Sequence, residues 1–505
     1  MNESPDILNL LNDLLARAKN KGADAGDAVH IESTSLSVAQ RLGNPEKLER
    51  SESADIGLRI FVGKSQAIVS SSDTSPDALD ELAERAVAMA KSVPADPYCG
   101  LADPVQLATD IADIDAFDES EPSAEVLVDW ANRAEHAARA VDGVTNSEGA
   151  EASWGKATVS IAATNGFSHT YSGTNYALSA SVLAGEGTAM ERDYDYSGAV
   201  YAEDLRRPED IGRSAGEKAV RRLNPKKAET ALVPVVYDAR VARSLISHFA
   251  SAVNGSSIAR DTSFLKDSMG ERVFGDGINI IDDPHRRRGL RSKPFDAEGV
   301  ANTRLKVIDN GRLTTWFLDL RSSRQLGLET TGHASRDTSS PPGPSATNLY
   351  IAAGDLSPED LMQDIKSGFY ITELIGFGIN GLTGDYSRGA SGFWIENGAI
   401  TYPVSEMTIA GNLKDMFLTL TPANDLLFRY GVDAPTPVLA SDRGDQQRLQ
   451  LLAHRCAEPV LDRRDEFLER RQAGQIGAAG ELDQPADGLV HVIDHGRVLA
   501  APLDV

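Results

Sequence analysis

Nine histidines occur in the 505 residues: His30, His136, His169, His248, His285, His333, His454, His491 and His495. A metal-assisted hydrolase needs two of them about one helical turn apart, with a carboxylate to activate the metal-bound water. His248 lies in the helical pattern Leu245-Ile246-Ser247-His248-Phe249-Ala250-Ser251-Ala252-Val253, but Phe249 follows it where an acid would be needed. Val253 occupies the region where a second ligand would fall. Val241, Leu245, Phe249 and Ala252 make an apolar stripe instead, so the segment reads as a packed helix that carries a histidine. His491 and His495 have helical ligand spacing, yet Asp494-His495-Gly496 reads as a turn on a surface loop.

Carboxylates offer a second kind of chemistry. Glu191, Asp193 and Asp195 alternate with Arg192 and Tyr194. On a strand all three share one face, which would be either a solvated face or a site for a cation or a peptide amine. Asp282-Asp283 precede Pro284 and His285-Arg286-Arg287-Arg288. That cluster reads as a local ion network, or as a binder of a peptide carboxylate or an acidic partner surface. In Phe295-Asp296-Ala297-Glu298-Gly299 the acids either hold a turn or line a cleft. Thr383-Gly384-Asp385-Tyr386-Ser387-Arg388-Gly389 reads as a polar loop punctuated by glycine. Such loops bind ligands, or use their side chains to tie down their own backbone. Gly63-Lys64-Ser65 lacks the upstream glycine spacing of a phosphate-binding loop.

Three segments taken in order are more specific than any of these motifs. They are Ile371-Thr372-Glu373-Leu374-Ile375-Gly376, then Thr383 to Gly398 with Phe393-Trp394-Ile395-Glu396-Asn397-Gly398, then Tyr402-Pro403-Val404 and Met407-Thr408-Ile409-Ala410-Gly411-Asn412-Leu413. The run resembles the C-terminal signature of the TldD/TldE (PmbA) family, whose two related subunits form a zinc peptidase. Phe295-Asp296-Ala297-Glu298-Gly299 resembles another of its segments. The catalytic subunit of that family carries His-Glu-x-x-x-His on a helix, and no His is followed by Glu anywhere in this chain. The resemblance is therefore to the TldE-type subunit. It covers residues 5 to 436 and implies an α+β N-terminal domain followed by a β-rich C-terminal domain. It also implies that the zinc belongs to a TldD-type partner and that this chain holds no catalytic metal. The pair would act on unfolded or modified peptides in an enclosed cavity, with Asp385, Tyr386, Ser387 and Arg388 as the substrate contacts. A stand-alone hydrolase with a different site and a regulatory adaptor, as in the family's label of DNA gyrase modulator, are the rival readings. Whether the isolated chain forms a homodimer stays open.

Bulk properties fit a large globular protein. A chain of this length can form two or three domains with substantial cores. The formal charge is −25, from 50 Lys and Arg against 75 Asp and Glu. That balance argues against direct nucleic-acid binding, because phosphates reward positive charge. Two cysteines, Cys99 and Cys456, are too few for a disulfide framework and fit a reducing compartment. Asn9, Asn12 and Asp13 interrupt the first apolar residues, so no signal peptide is expected. No apolar run approaches the ~18 residues of a membrane span. The expected location is the cytoplasm.

Periodicity supplies the elements that must position these groups. Helices are predicted from Ser4-Pro5 to Gly22, over Ser75–Val93, Ser123–Val141 and Glu209–Leu223, from about Arg240 to Val253, and from Ser357 to near Lys366. Val29–Leu42, Ile56–Val69 with a turn at Gly63-Lys64, short arms over Ala157–Leu183 around Asn165-Gly166, and Ala231–Tyr237 read as strands. Asn254-Gly255 is expected to stop a helix, while Asn310-Gly311 and Asn397-Gly398 mark hairpins. Elements are mixed rather than alternating as βαβ units, so the fold class is α+β. The expected domains are 1–225, 226–439 and an atypical tail, 440–505, which departs from the family pattern after Pro435-Thr436. The tail reads either as an appended helix over roughly Gln446–Gln472 with a hairpin at Asp494-His495-Gly496, or as an altered reading frame.

Overall fold

A computed structural model describes residues 4–440 and 450–453. The N-terminal half begins with helix α1 (Ser4–Asn20), which ends where Gly22 takes a positive φ of 108°. Strands β1 (Ala25–Arg41), β2 (Asn44–Val62) and β3 (Ser65–Ser71) follow, then α2 (Pro76–Ser92) and α3 (Ala124–Arg139). Next come β4 (Val144–Ala163), β5 (Ser168–Ala184), β6 (Glu191–Ala199) and α4 (Pro208–Arg221). The six strands form one antiparallel sheet in the order β3-β2-β1-β4-β5-β6. The arms around Asn165-Gly166 are not short: β4 and β5 run for 20 and 17 residues. A further hairpin, absent from the sequence reading, joins β1 to β2 at Leu42-Gly43, where φ is 52° and 77°. The buried Glu135 of α3 accepts both turn amides, Leu42 at 2.6 Å and Gly43 at 3.0 Å, and so holds a leucine in a conformation it rarely adopts.

Side-chain alternation gives this sheet two different faces. Ala28, Leu36, Val38, Ile56, Leu58, Trp154, Tyr176 and Leu178 pack under the four helices. The α3–α4 contact is close because Gly212 sits against the backbone of α3; a Cβ there would lie 1.9 Å from the Ala134 carbonyl oxygen. Asp27, Val29, Arg59, Val159 and Ile161 face the other way, toward the C-terminal half, where Phe167 and Phe295 join them.

The C-terminal half opens with β7 (Val235–Tyr237), shorter than predicted, and α5 (Ala239–Ala252). Asn254 does not simply stop α5: its side chain caps the next short helix, α6 (Gly255–Ala259). Then come β8 (Ile280–Asp282), β9 (Leu305–Asp309), β10 (Arg312–Leu313), α7 (Leu320–Leu326), β11 (Ala334–Ser335), β12 (Gly343–Pro344), β13 (Leu349–Ile351) and α8 (Pro358–Met362). The long strands β14 (Ser367–Ile379), β15 (Asp385–Glu396) and β16 (Ala399–Asn412) precede α9 (Leu413–Thr419), β17 (Leu420–Pro422), β18 (Val432–Asp433), β19 (Pro437–Leu439) and β20 (Gln450–Ala453). A mixed seven-stranded sheet, β17-β19-β7-β14-β15-β16-β20, and a five-stranded sheet, β10-β9-β8-β13-β18, enclose the largest core with α5. Asn310-Gly311 and Asn397-Gly398 make the expected tight turns, all four at positive φ.

The architecture is α+β, with an α+β N-terminal half and a C-terminal half dominated by strands. The predicted helix over Gln446–Gln472 meets the described residues only at Gln450–Ala453, which instead add a strand to β16. Its remainder, the hairpin at Asp494-His495-Gly496, His454, His491 and Cys456 lie outside the described residues. No helix among the described residues is long and apolar enough to cross a membrane.

Candidate functional site

The segment read as a polar loop is a turn over residues 380–384 followed directly by strand β15. Strand geometry therefore splits the four predicted contacts into two pairs on opposite faces. Asp385 and Ser387 are exposed. The Asp385 carboxylate accepts from Thr383 Oγ1 at 2.6 Å and Asn412 Nδ2 at 3.1 Å, so it fastens its own turn. Those two bonds hold its carboxyl below the usual range.

Tyr386 and Arg388 point inward, toward α5. Tyr386 is only 1% exposed, and its hydroxyl lies 3.5 Å from that of Tyr237 at the end of β7. Its ring stands edge-on to the imidazole of His248, 6.2 Å between centroids. His248 Nε2 is buried with no hydrogen-bond partner, and so is Arg388 Nε. Burial, and then the positive charge of Arg388, push the His248 pKa down to about 4. Burial also pushes the Tyr386 hydroxyl up, against Tyr237 and Arg388. Below this cluster the predicted apolar stripe is real, with Leu245, Phe249 and Ala252 buried in the core.

These residues do not fit a zinc ion. One neutral imidazole is present, Phe249 and Val253 stand where further ligands would be required, and a guanidinium faces the ring. A second cation would be repelled there. Among the described residues no group of three His, Cys, Asp or Glu side chains converges as a metal site.

The other predicted clusters are absorbed by the chain's own charges. Glu191, Asp193 and Asp195 do share one face of β6, but Asp193 and Asp195 are buried, so the face is not solvated. Arg240 and Arg222 hold Asp193, and Arg206 and Lys218 hold Asp195. Burial raises both carboxyl pKa values, and these cations outweigh it and bring them below the usual range. Arg222 also reaches Glu191 and, at 2.6 Å, Glu373 of β14.

The Arg286–Arg288 run is not a local network. Arg287 and Arg288 pair with Asp113, Asp115, Glu203 and Asp204 of the N-terminal half, and Arg286 lies over the ring of Phe428. Asp282 is buried, accepting from His333 Nε2 at 3.0 Å and from the Thr347 amide at 2.8 Å.

Both readings of Phe295–Gly299 apply, each to a different acid. Asp296 holds the turn by accepting from the amides of Glu298, Val300 and Ala334. Glu298 takes the Arg59 Nη1 at 3.1 Å and lines a small cleft with Cys99, Asp319 and Arg321. Burial pushes both carboxyls up. Arg59 also binds Asp27, which is paired again with Arg336, so a buried charge cluster joins the two halves.

Sequence reasoning missed Tyr237 as a neighbour of the Tyr386–Arg388 face. It lay unremarked in an apolar strand, and no spacing links it to residues 149 positions away.

Comparison with known proteins places this geometry in a family. Residues 230–442 match the PmbA/TldA metallopeptidase C-terminal domain, 117–223 its central domain and 26–90 its domain 1. The last two matches contribute strands to the same sheet. The Metalloprotease PmbA of Escherichia coli O157:H7 is 37% identical over 427 residues, 84% of this chain and 92% of that protein. The crystal structure of a Bacteroides thetaiotaomicron protein described as a modulator of DNA gyrase superposes with a TM-score of 0.80 at 25% identity, covering 88% of this chain and 98% of the other. TldE from Thermococcus kodakarensis shares the fold, with a TM-score of 0.77 at 19% identity over 88% and 100% of the two chains. This chain belongs to the TldD/PmbA metallopeptidase family and is of the PmbA type.

Proposed function

We propose that this chain is the non-catalytic, TldE-type half of a heterodimeric zinc metallopeptidase. A TldD-type partner holds the zinc, and this chain shapes the cavity in which unfolded or modified peptides are bound and cut. The observation that carries the reading is the surroundings of His248 on α5. A desolvated imidazole facing Arg388, with Phe249 next to it in the core, suits packing and ligand contact rather than metal activation of water.

A partner is supported by the β14–β15 hairpin. Ile375, Phe377 and Leu382 are 54%, 86% and 60% exposed there. An apolar ribbon of this kind is what a protein interface covers. The complex works in the cytoplasm, consistent with the sparse cysteines.

The test mixes the purified chain with its TldD-type counterpart and measures co-elution, zinc content and cleavage of an unfolded peptide. Zinc should follow the counterpart, and cleavage should need both chains. Stoichiometric zinc on the isolated chain that disappears in His248→Ala, or cleavage by this chain alone, would refute the proposal.

A further inference from the structure

We infer that Arg388, Tyr386 and His248 form a carboxylate-binding site in this chain, and that the α-carboxylate of a peptide is its ligand. The inference rests on the peptide-handling reading above and adds the chemical group that is recognised.

The buried arginines Arg59, Arg222, Arg240 and Arg336 of this acidic protein are matched by carboxylates. Arg59 and Arg336 meet Asp27, while Arg222 and Arg240 meet Asp193. Arg388 is partly buried and forms no ion pair with any described carboxylate. Its Nε is sealed from solvent without an acceptor, and across from it His248 Nε2 is sealed without a partner as well. A buried polar group left unpaired is costly, so two of them on residues close enough to feel each other's charge describe a site that an incoming group would complete.

The missing group must accept hydrogen bonds and carry negative charge. The planar guanidinium fork suits a carboxylate. Tyr386, anchored by Tyr237, supplies a fixed wall. Asp385, the acid nearest in sequence, points to the opposite face of β15 and is occupied with Thr383 and Asn412. It cannot serve as the internal counter-ion.

An exposed β14 bulge leads to the same place. The pairing of β14 with β15 shifts between Ile375 and Gly378, directly across from Arg388. Residues 375–378 of that strand are exposed. The bulge opposite the arginine is therefore open to solvent.

The test uses calorimetry and histidine NMR on the full-length chain with four probes: N-acetylalanine, an unstructured peptide as the free acid, the same peptide as its C-terminal amide, and an amide containing one internal Glu. The free acid should bind at least roughly tenfold tighter than the plain amide, the size of one charge-assisted hydrogen-bonded pair. That preference should vanish in Arg388→Gln, and only carboxylate probes should move the His248 ring signal, assigned with His248→Gln. Equal binding of the internal-Glu amide and the free acid would make a side-chain carboxylate the ligand and overturn the α-carboxylate assignment. N-acetylalanine binding at Arg388 while no peptide binds would keep the carboxylate site and refute peptide handling. Equal affinity for acid and amide, or an acid preference that survives Arg388→Gln, would overturn the site. Arg388→Lys keeps the charge without the fork and provides the second variant if Arg388→Gln does not fold; an undiminished acid preference in it overturns the bidentate contact.

Discussion

Arg240, at the start of α5, donates to Asp193 of β6 at 2.7 Å, and both side chains are almost wholly buried. The contact crosses from one half of the protein to the other. It also fixes the entry of the helix that carries His248. Arg222 shares the same carboxylate at 3.5 Å. Asp193→Asn leaves the buried Arg240 without its carboxylate, while Arg222 keeps Glu373, so it is expected to lower the unfolding free energy by about 3–5 kcal/mol. Urea denaturation checks this. The double variant Asp193→Asn with Arg240→Met should recover part of the loss, because it removes the orphaned charge.

His248 gives stability a dependence on pH. Its pKa is pushed down to about 4 in the folded chain, against an ordinary value of 6.5. The unfolded chain therefore binds a proton that the folded chain refuses. The contribution is fully present above pH 6.5 and is lost as the pH falls toward 4. Between pH 7 and 5 the wild-type chain should lose up to about 2 kcal/mol more than His248→Gln, less whatever solvent screening removes at this partly exposed ring. Equal losses in paired urea titrations at the two pH values would refute the desolvated environment.

Gly212 sets the approach of α3 and α4. Alanine normally favours a helix interior over glycine by about 1 kcal/mol. Here the added Cβ would fall 1.9 Å from the Ala134 carbonyl oxygen. Overpacking of this sort costs roughly 1–3 kcal/mol or more, so the sign reverses and Gly212→Ala should lower the melting temperature. A raised melting temperature would mean that the two helices can separate freely.

Cys99 is 4% exposed, its thiol donates to the Lys64 carbonyl at 3.3 Å, and burial pushes its pKa up. It should be unreactive in the folded state. In a Cys456→Ser background, Ellman's reagent should titrate one thiol only when urea unfolds the chain. Rapid labelling under native conditions would contradict this burial.

The turns show what a sequence reveals by itself. Asn165-Gly166, Asn310-Gly311 and Asn397-Gly398 announce hairpins because both residue types tolerate positive φ locally. Leu42-Gly43 does the same work invisibly, because its leucine is held by Glu135, 93 residues away. The carboxylates of β6 follow the same rule. Their shared face was legible from alternation, whereas their burial depends on Arg206, Lys218, Arg222 and Arg240, brought in by later elements. Of the four predicted peptide contacts, the structure brings only Tyr386 and Arg388 together with His248. The glycines around them suggested a loop, and a strand's alternation then divided the set. The family resemblance carried the general architecture because it rests on ordered segments rather than on any single pairing.

The outer half of β2 has a bearing on how the chain behaves in a crowded solution. β3 covers only Ile56–Val62, so residues 44–55 form an open sheet edge. An open edge invites another chain to add a strand, the first step of aggregation. Here Pro45 lacks an amide hydrogen, and Glu46, Lys47, Glu49, Arg50 and Glu52 line the segment with exposed charge. A stray strand would have to bury those charges to pair. The outer half of β2 can thus stay an uncovered edge without acting as a template for copies of the chain.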